Sequence, residues 1–306
     1  MPIISPKIRN FLLLLALGFC WGPSFLFIRL AIEHLPPLTL VASRLWPGAI
    51  LLCLLCLAKG EKPLTYLKEW RHFLVMGFFA CAFPFSCISA GQQYIPSSLA
   101  AIINSSTPIF TALGAYYFLG ERLGIIKITG ISTGILGILA VFLPSFFDNG
   151  HQNELGMFLI LLASMSYAVG FLYSRKNLAH IPSLVGASGQ VLAAALLVSP
   201  LALFFEKPYE LPFPPASAIF GISCLAILGT VFAFAIYYEL TRSAGATYAS
   251  TSTLLFPAIA VILGVVILGE SLSWNIMLGC PLIFLGLAIA NGILPLSFSR
   301  KTLKLH

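Results

Sequence analysis

Ten apolar runs, each long enough to cross a bilayer, follow one another along the chain with little polar sequence between them. They are 11–32, 38–58, 73–91, 97–119, 124–144, 155–174, 183–205, 217–240, 246–268 and 274–294. A rise of about 1.5 Å per residue lets runs of this length cover a hydrocarbon core of roughly 30 Å. The charges gather at run ends, so the runs lack the polar stripe that a water-exposed helix carries. The pattern predicts an all-α integral membrane protein with ten transmembrane helices. The longer polar connections, 59–72, 145–154 and 206–216, leave no room for a soluble domain. The first run reads as a retained span, because it is longer than the apolar core of a leader and lacks a clear small-residue cleavage site.

The runs repeat. Residues 97–141 and 246–290 align without a gap at an offset of 149. This puts Pro108 on Pro257, Leu119-Gly120-Glu121 on Leu268-Gly269-Glu270, Gly130 on Gly279, and Leu136-Gly137 on Leu285-Gly286. At an offset of 146, Trp21 falls on Tyr167, Arg29 on Arg175, Pro36 on Pro182 and Arg44 on Gln190. Each unit therefore holds five spans, 1–150 and 151–306, and an odd number of spans inserts the second unit upside down relative to the first. Inverted repeats of this kind are the architecture of secondary transporters, whose halves rock between two forms of similar energy.

Composition sharpens this picture. The chain is 59% hydrophobic and 9% charged, with a mean hydropathy of +0.97, too little polar surface to cover a water-soluble globule. Its net charge of +7 forms no patch or stripe of the kind nucleic acid would ask for, and it reads instead as topology. With a cytoplasmic N-terminus, fourteen basic residues (Lys7, Arg9, Lys59, Lys62, Lys68, Arg71, Arg122, Lys127, Arg175, Lys176, Arg242, Arg300, Lys301 and Lys304) face inward and only Lys207 faces outward. The positive-inside rule then sets both termini inside. The seven cysteines lie within apolar runs and read as small hydrophobes, the Cys53–Cys56 pair included. No metal or cofactor site is expected.

The segment Trp21-Gly22-Pro23-Ser24-Phe25 with Ile28-Arg29, then Pro36-Pro37, Arg44, the stretch from Asn104 to Pro108 and the two Leu-Gly-Glu motifs carry a further signal. Together with the duplication they resemble the EamA-type members of the drug/metabolite transporter superfamily, over essentially the whole chain. The resemblance implies ten helices in two inverted five-helix repeats, a central cavity lined by helices one to four and six to nine, and peripheral fifth and tenth helices. It also implies substrates that are amino acids or other small metabolites, often moved outward. The second repeat departs from the motif, with Tyr167-Ala168 in place of Trp-Gly and Gln190 in place of arginine.

Candidate substrate-binding residues follow from polarity at depth. The fourth span presents Asn104, Thr107 and Pro108 on one small or polar stripe, and its repeat mate presents Ser252, Thr253 and Pro257. Such a stripe serves either close helix packing or a wet cavity wall. The two prolines, each removing a backbone hydrogen bond, are expected as helix breaks. Arg44 costs on the order of 2.5 to 3.5 kcal/mol at the bilayer centre, less toward the interface. It therefore either reaches for the surface beside Glu33 or faces inward to meet a substrate carboxylate. Trp21, Tyr167, Ser24, Gln190 and Tyr237 complete the set. Gln92 and Gln93 are expected at a solvated outer mouth, and Glu121 and Glu270 as capping groups.

No acidic residue sits at a span centre, so a proton relay through a buried carboxylate is not indicated. Nor is there a Ser/Lys, paired-carboxylate or His/Cys constellation at depth to support an intramembrane enzyme. The expectation is a secondary transporter of the inner membrane, most simply an amino-acid exporter. A carrier of a larger metabolite such as S-adenosylmethionine or a nucleoside-like compound is the alternative, and a passive channel the alternative of another class. Expected partners are a small-molecule substrate and the lipid bilayer, with a homodimer permitted and no nucleic acid.

Overall fold

The structure is a computed structural model and describes residues 5–120, 124–142, 151–178, 180–244, 252 and 255–290. Every regular element among them is helical. Eight helices are long and apolar enough to cross a membrane: α1 Ile8–Ile32, α2 Pro37–Ala58, α3 Pro63–Gly91, α4 Ser97–Phe118, α5 Ile125–Phe142, α6 Asn153–Asn177, α7 Ser183–Glu206 and α8 Ala216–Leu240. Two shorter apolar helices follow, α9 Leu255–Leu268 and α10 Trp274–Ile289. The third element starts earlier than its apolar run, because Pro63–Glu69 forms a 3-10 turn that leads into the helix at Trp70. Glu121 and Thr253 lie outside the described residues.

Four elements are interrupted where they approach the centre of the molecule. In α1 a turn at Gly22-Pro23 separates Pro6–Trp21 from Ser24–Ile32. In α4 a turn at Ser105-Ser106 separates Ser97–Asn104 from Thr107–Leu119. Pro108 thus sits in the first turn of a new helical segment, where its missing N–H has no intrahelical duty. The carbonyl expected to be left free is taken: Thr107 Oγ1 donates to Asn104 O at 2.8 Å. Pro257 has a like position, near the start of Leu255–Leu268. Wide π-turns occupy Phe78–Ala82 in α3 and Ile227–Phe232 in α8. Such turns shift the i→i−4 ladder and free carbonyls for other donors.

The two sequence halves interlock. On the face expected to be outer, carboxylates from the second half cap helices of the first. Glu206 accepts from Leu38 N at 2.9 Å, Thr39 N at 2.6 Å and Thr39 Oγ1 at 2.7 Å. Glu270 accepts from Ser97 N at 2.7 Å and Ser98 N at 2.9 Å. A carboxylate at a helix start satisfies orphan N–H groups and faces the positive end of the helix dipole. Gln92, expected to be solvated, is instead fully buried at this face, its backbone O accepting from Arg29 Nη1 at 2.9 Å. The loop folds inward because Ile95 and Leu99 carry it into the main apolar core. At the opposite face His180 Nε2 lies 3.4 Å from Glu69 Oε1.

Burial pushes the Glu270 carboxyl up, and hydrogen bonds from Ser98 and Ser97 more than reverse this, leaving it below its ordinary 4.5. A depressed carboxyl stabilises the fold above its ordinary pKa, and that contribution is lost as pH falls through the depressed value. Glu270→Ala should therefore lower stability by about 1 kcal/mol at neutral pH, within the usual range for losing a helix cap. Thermal unfolding of wild type and variant should converge on acidification below about 4.5, the ordinary value. A difference that is constant with pH would contradict the capping role.

Candidate functional site

A cavity of about 140 Å³ lies where both halves meet. An engineered apolar cavity of about 150 Å³ holds a benzene ring, which sets the scale. Its wall includes Trp21 and Ser24 from α1, Arg44 from α2, Asn104 and Thr107 from α4, Tyr167 from α6, Gln190 from α7 and Tyr237 from α8. Eight of the candidate residues named from the sequence are thus gathered on one surface. Ser252 is buried but is not among the described wall residues.

Arg44 faces this cavity and is only 4% exposed. It does not reach for Glu33, which pairs with Arg29 at 3.4 Å. Its Nε donates to Thr230 Oγ1 at 3.1 Å and its Nη2 to Gly229 O at 3.1 Å. Both acceptors lie in the π-turn of α8, and Thr230 Oγ1 in turn donates to Leu225 O at 3.0 Å. A methyl group on Gly229 would stand 2.9 Å from Ser24 Oγ and 3.3 Å from Arg44 Nη2, so the close approach needs glycine. The guanidinium also lies over the Phe85 ring, 4.0 Å from its centroid, an arrangement that offsets part of the cost of burying charge. Among the described residues, every partner of Arg44 is neutral.

The matching π-turn in α3 does the same for the other half. Phe79 O accepts from Ser166 Oγ at 2.8 Å, tying α3 to α6. Asn104 Oδ1 accepts from Ser164 Oγ at 3.3 Å, tying α4 to α6. These bonds hold the polar residues of the wall without using Gln190, whose amide lines the cavity with no side-chain hydrogen bond among the described residues.

Rings make up much of the remaining wall and form a connected series. Phe85 meets Tyr167 at 6.4 Å, Tyr167 meets Phe171 at 6.4 Å, Phe171 meets Tyr237 at 6.4 Å and Tyr237 meets Trp21 at 5.7 Å. Phe234 and Tyr238 extend it, 6.3 Å apart and stacked. Of these, Phe85, Phe171 and Phe234 are not distinguishable in the sequence from any other phenylalanine of an apolar run. Gly229 and Thr230 are also missed, since only the π-turn turns them toward Arg44. No group of three or more His, Cys, Asp or Glu side chains that could hold a metal occurs among the described residues. The arrangement offers one fixed positive charge beside an aromatic enclosure, suited to a small molecule with an anionic end and an apolar body.

The profile of the EamA-like transporter family matches this chain twice, over residues 9–143 and 154–292. The chain belongs to the EamA-like transporter family. Among its curated relatives, Protein PagO of Salmonella typhimurium is 27% identical over 274 residues, covering 89% of each chain. The uncharacterized inner membrane transporter YedA of Escherichia coli K12 is 28% identical over 85% of this chain and 83% of its own. A Salmonella typhimurium protein named as a probable amino-acid metabolite efflux pump is 30% identical over 88% of this chain and 90% of its own. A solved crystal structure shares the fold with a TM-score of 0.67 at 21% identity, over 92% of this chain and 96% of that one. The drug/metabolite resemblance read from the motifs holds, and this EamA family member is a multi-pass membrane protein.

Proposed function

We propose that this EamA family member is a secondary transporter that exports small carboxylate-bearing metabolites, amino acids and their close derivatives, across the bacterial inner membrane. Two inverted five-helix units, 1–150 and 151–306, would rock about the central cavity, with both termini cytoplasmic. The observation that carries this reading is Arg44, a buried cation with only neutral partners on the wall of a ring-lined cavity. A carboxylate would complete its shell at the point where both units contribute residues. The carboxylate caps at Glu206 and Glu270 support a form closed at the outer face, which alternating access requires as one of its two states. The relative named as an amino-acid metabolite efflux pump points to the same substrate class.

Counterflow in proteoliposomes tests this proposal. Vesicles preloaded with unlabelled amino acids and their 2-oxo acids should take up a labelled subset faster than empty vesicles, with saturation. Trans-stimulation of this kind separates a carrier from a passive channel. Flux that rises linearly with concentration, without trans-stimulation, would contradict the proposal.

A further inference from the structure

We infer that, within this carboxylate class, the cavity selects organic monoanions over zwitterions, and that their export is driven by the membrane potential. The inference rests on the transporter reading above. Among the described wall residues Arg44 carries the only formal charge, and no carboxylate or histidine shares the surface with it. Its contacts, Thr230 Oγ1, Gly229 O and the Phe85 ring, hold the guanidinium in place and leave its charge uncompensated. An ion buried without a counter-ion is costly, and a ligand that brings one negative charge removes that cost.

A free amino acid brings a second charge. Its ammonium would have only ring faces and neutral amides or hydroxyls to receive it, close to a cation that repels it. Ring faces are worth about 0.5 to 2 kcal/mol to a cation, less than a paired carboxylate in the same setting. The surface therefore fits a molecule with one carboxylate, no ammonium, and an apolar body about the size of one ring, such as a 2-oxo or N-acylated relative of a hydrophobic amino acid.

Charge bookkeeping then sets the energetics. Outward passage of one monoanion moves one negative charge out of an inside-negative compartment. Each 100 mV contributes about 2.3 kcal/mol per charge, equivalent to about a fiftyfold change in concentration ratio. Such a carrier needs no coupled proton, which matches a wall with no carboxylate or histidine among its described residues, its three tyrosines Tyr167, Tyr237 and Tyr238 being neutral hydroxyls at physiological pH.

The test uses the purified full chain in liposomes with the potential clamped by a potassium gradient and valinomycin, and protein-free liposomes as the leak control. Phenylpyruvate and phenylalanine are the probes, since they share a body and differ in the amine. Phenylpyruvate should compete for exchange at least tenfold more strongly than phenylalanine. Its steady-state distribution should follow the potential, toward the positive compartment, and ignore an imposed pH gradient. Arg44→Lys should keep the preference, and Arg44→Gln should lose it. Thr230→Val, which removes one hydrogen bond from the guanidinium but keeps its charge, should weaken exchange without reversing the preference. Stronger competition by phenylalanine, or phenylpyruvate flux that follows the pH gradient instead of the potential, would overturn the inference. If amino acids exchange and phenylpyruvate does not, the inference falls and the transporter reading stands; if neither exchanges, the proposed substrate class falls with it.

Discussion

Arg44→Gln should lose most transport while the folded protein stays about as stable as wild type. A hydrogen bond to a charged group contributes about 1.5 to 3 kcal/mol, so transport efficiency for a carboxylate substrate should fall by about ten- to 150-fold. Stability should behave differently. Arg44 is 4% exposed and, among the described residues, bonded to neutral groups, so its removal abolishes a buried charge instead of orphaning a partner ion. Glutamine retains donors for Thr230 Oγ1 or Gly229 O, and the repeat mate Gln190 already occupies a buried cavity-lining position in the second half. The unfolding midpoint should therefore remain unchanged or rise, by no more than about 1 kcal/mol of stability. Thermal unfolding and transport measured on the same preparation test both halves of this expectation. A collapse of stability with transport per folded molecule intact would make Arg44 a structural residue.

Gly286→Leu should have the reverse signature, a large loss of stability from a position far from the cavity wall. Helices α5 and α10 pack against each other more closely than against the rest of the molecule, through facing glycines. A side chain at Gly286 would meet the backbone of Gly134 and stand 2.6 Å from Gly130 O. At Gly137 it would stand 2.6 Å from Ile283 N and 2.8 Å from Gly279 O. These neighbours are backbone and cannot rotate aside. In a membrane such small-residue contacts are a principal source of helix association. Asn275 Nδ2 donates to Val141 O at 2.7 Å across the same pair, a bond that depends on the approach. Overpacking usually costs about 1 to 3 kcal/mol, and here the helices must separate along their contact. The midpoint should drop by several degrees, whereas Leu285→Ala on the exposed side of α10, 43% accessible, should change little. Equal effects of the two substitutions would contradict this packing.

The parts legible in the sequence are those set by polarity against an apolar background. Arg44, Asn104, Thr107 and Gln190 stand out in lipid-compatible runs because each is costly to bury, and the structure gathers them on one cavity wall. Trp21 and Tyr167 stand out by their matching places in the duplicated sequence. What the sequence could not disclose depends on backbone geometry. The π-turns that aim Gly229 and Thr230 at Arg44 have no residue signature, and Phe85 becomes a partner of Arg44 only through helix packing. Gln92 stands at a polar loop end, a pattern that points to solvent, yet its neighbours Ile95 and Leu99 draw it inward. Glu270 caps a helix, as its Gly-Glu turn suggests, but the helix is α4 of the other half instead of its own. Long-range pairings of this sort cannot be found by local spacing alone.

An experimental structure of the protein with a transported carboxylate at saturating concentration would be decisive. The carboxylate should lie on Arg44, with N–O distances of about 2.7 to 2.9 Å for a charge-assisted bond, and the apolar body among Tyr167, Phe171 and Trp21. A substrate bound outside this cavity, or inside it with its carboxylate turned away from Arg44, would contradict the proposed role of Arg44.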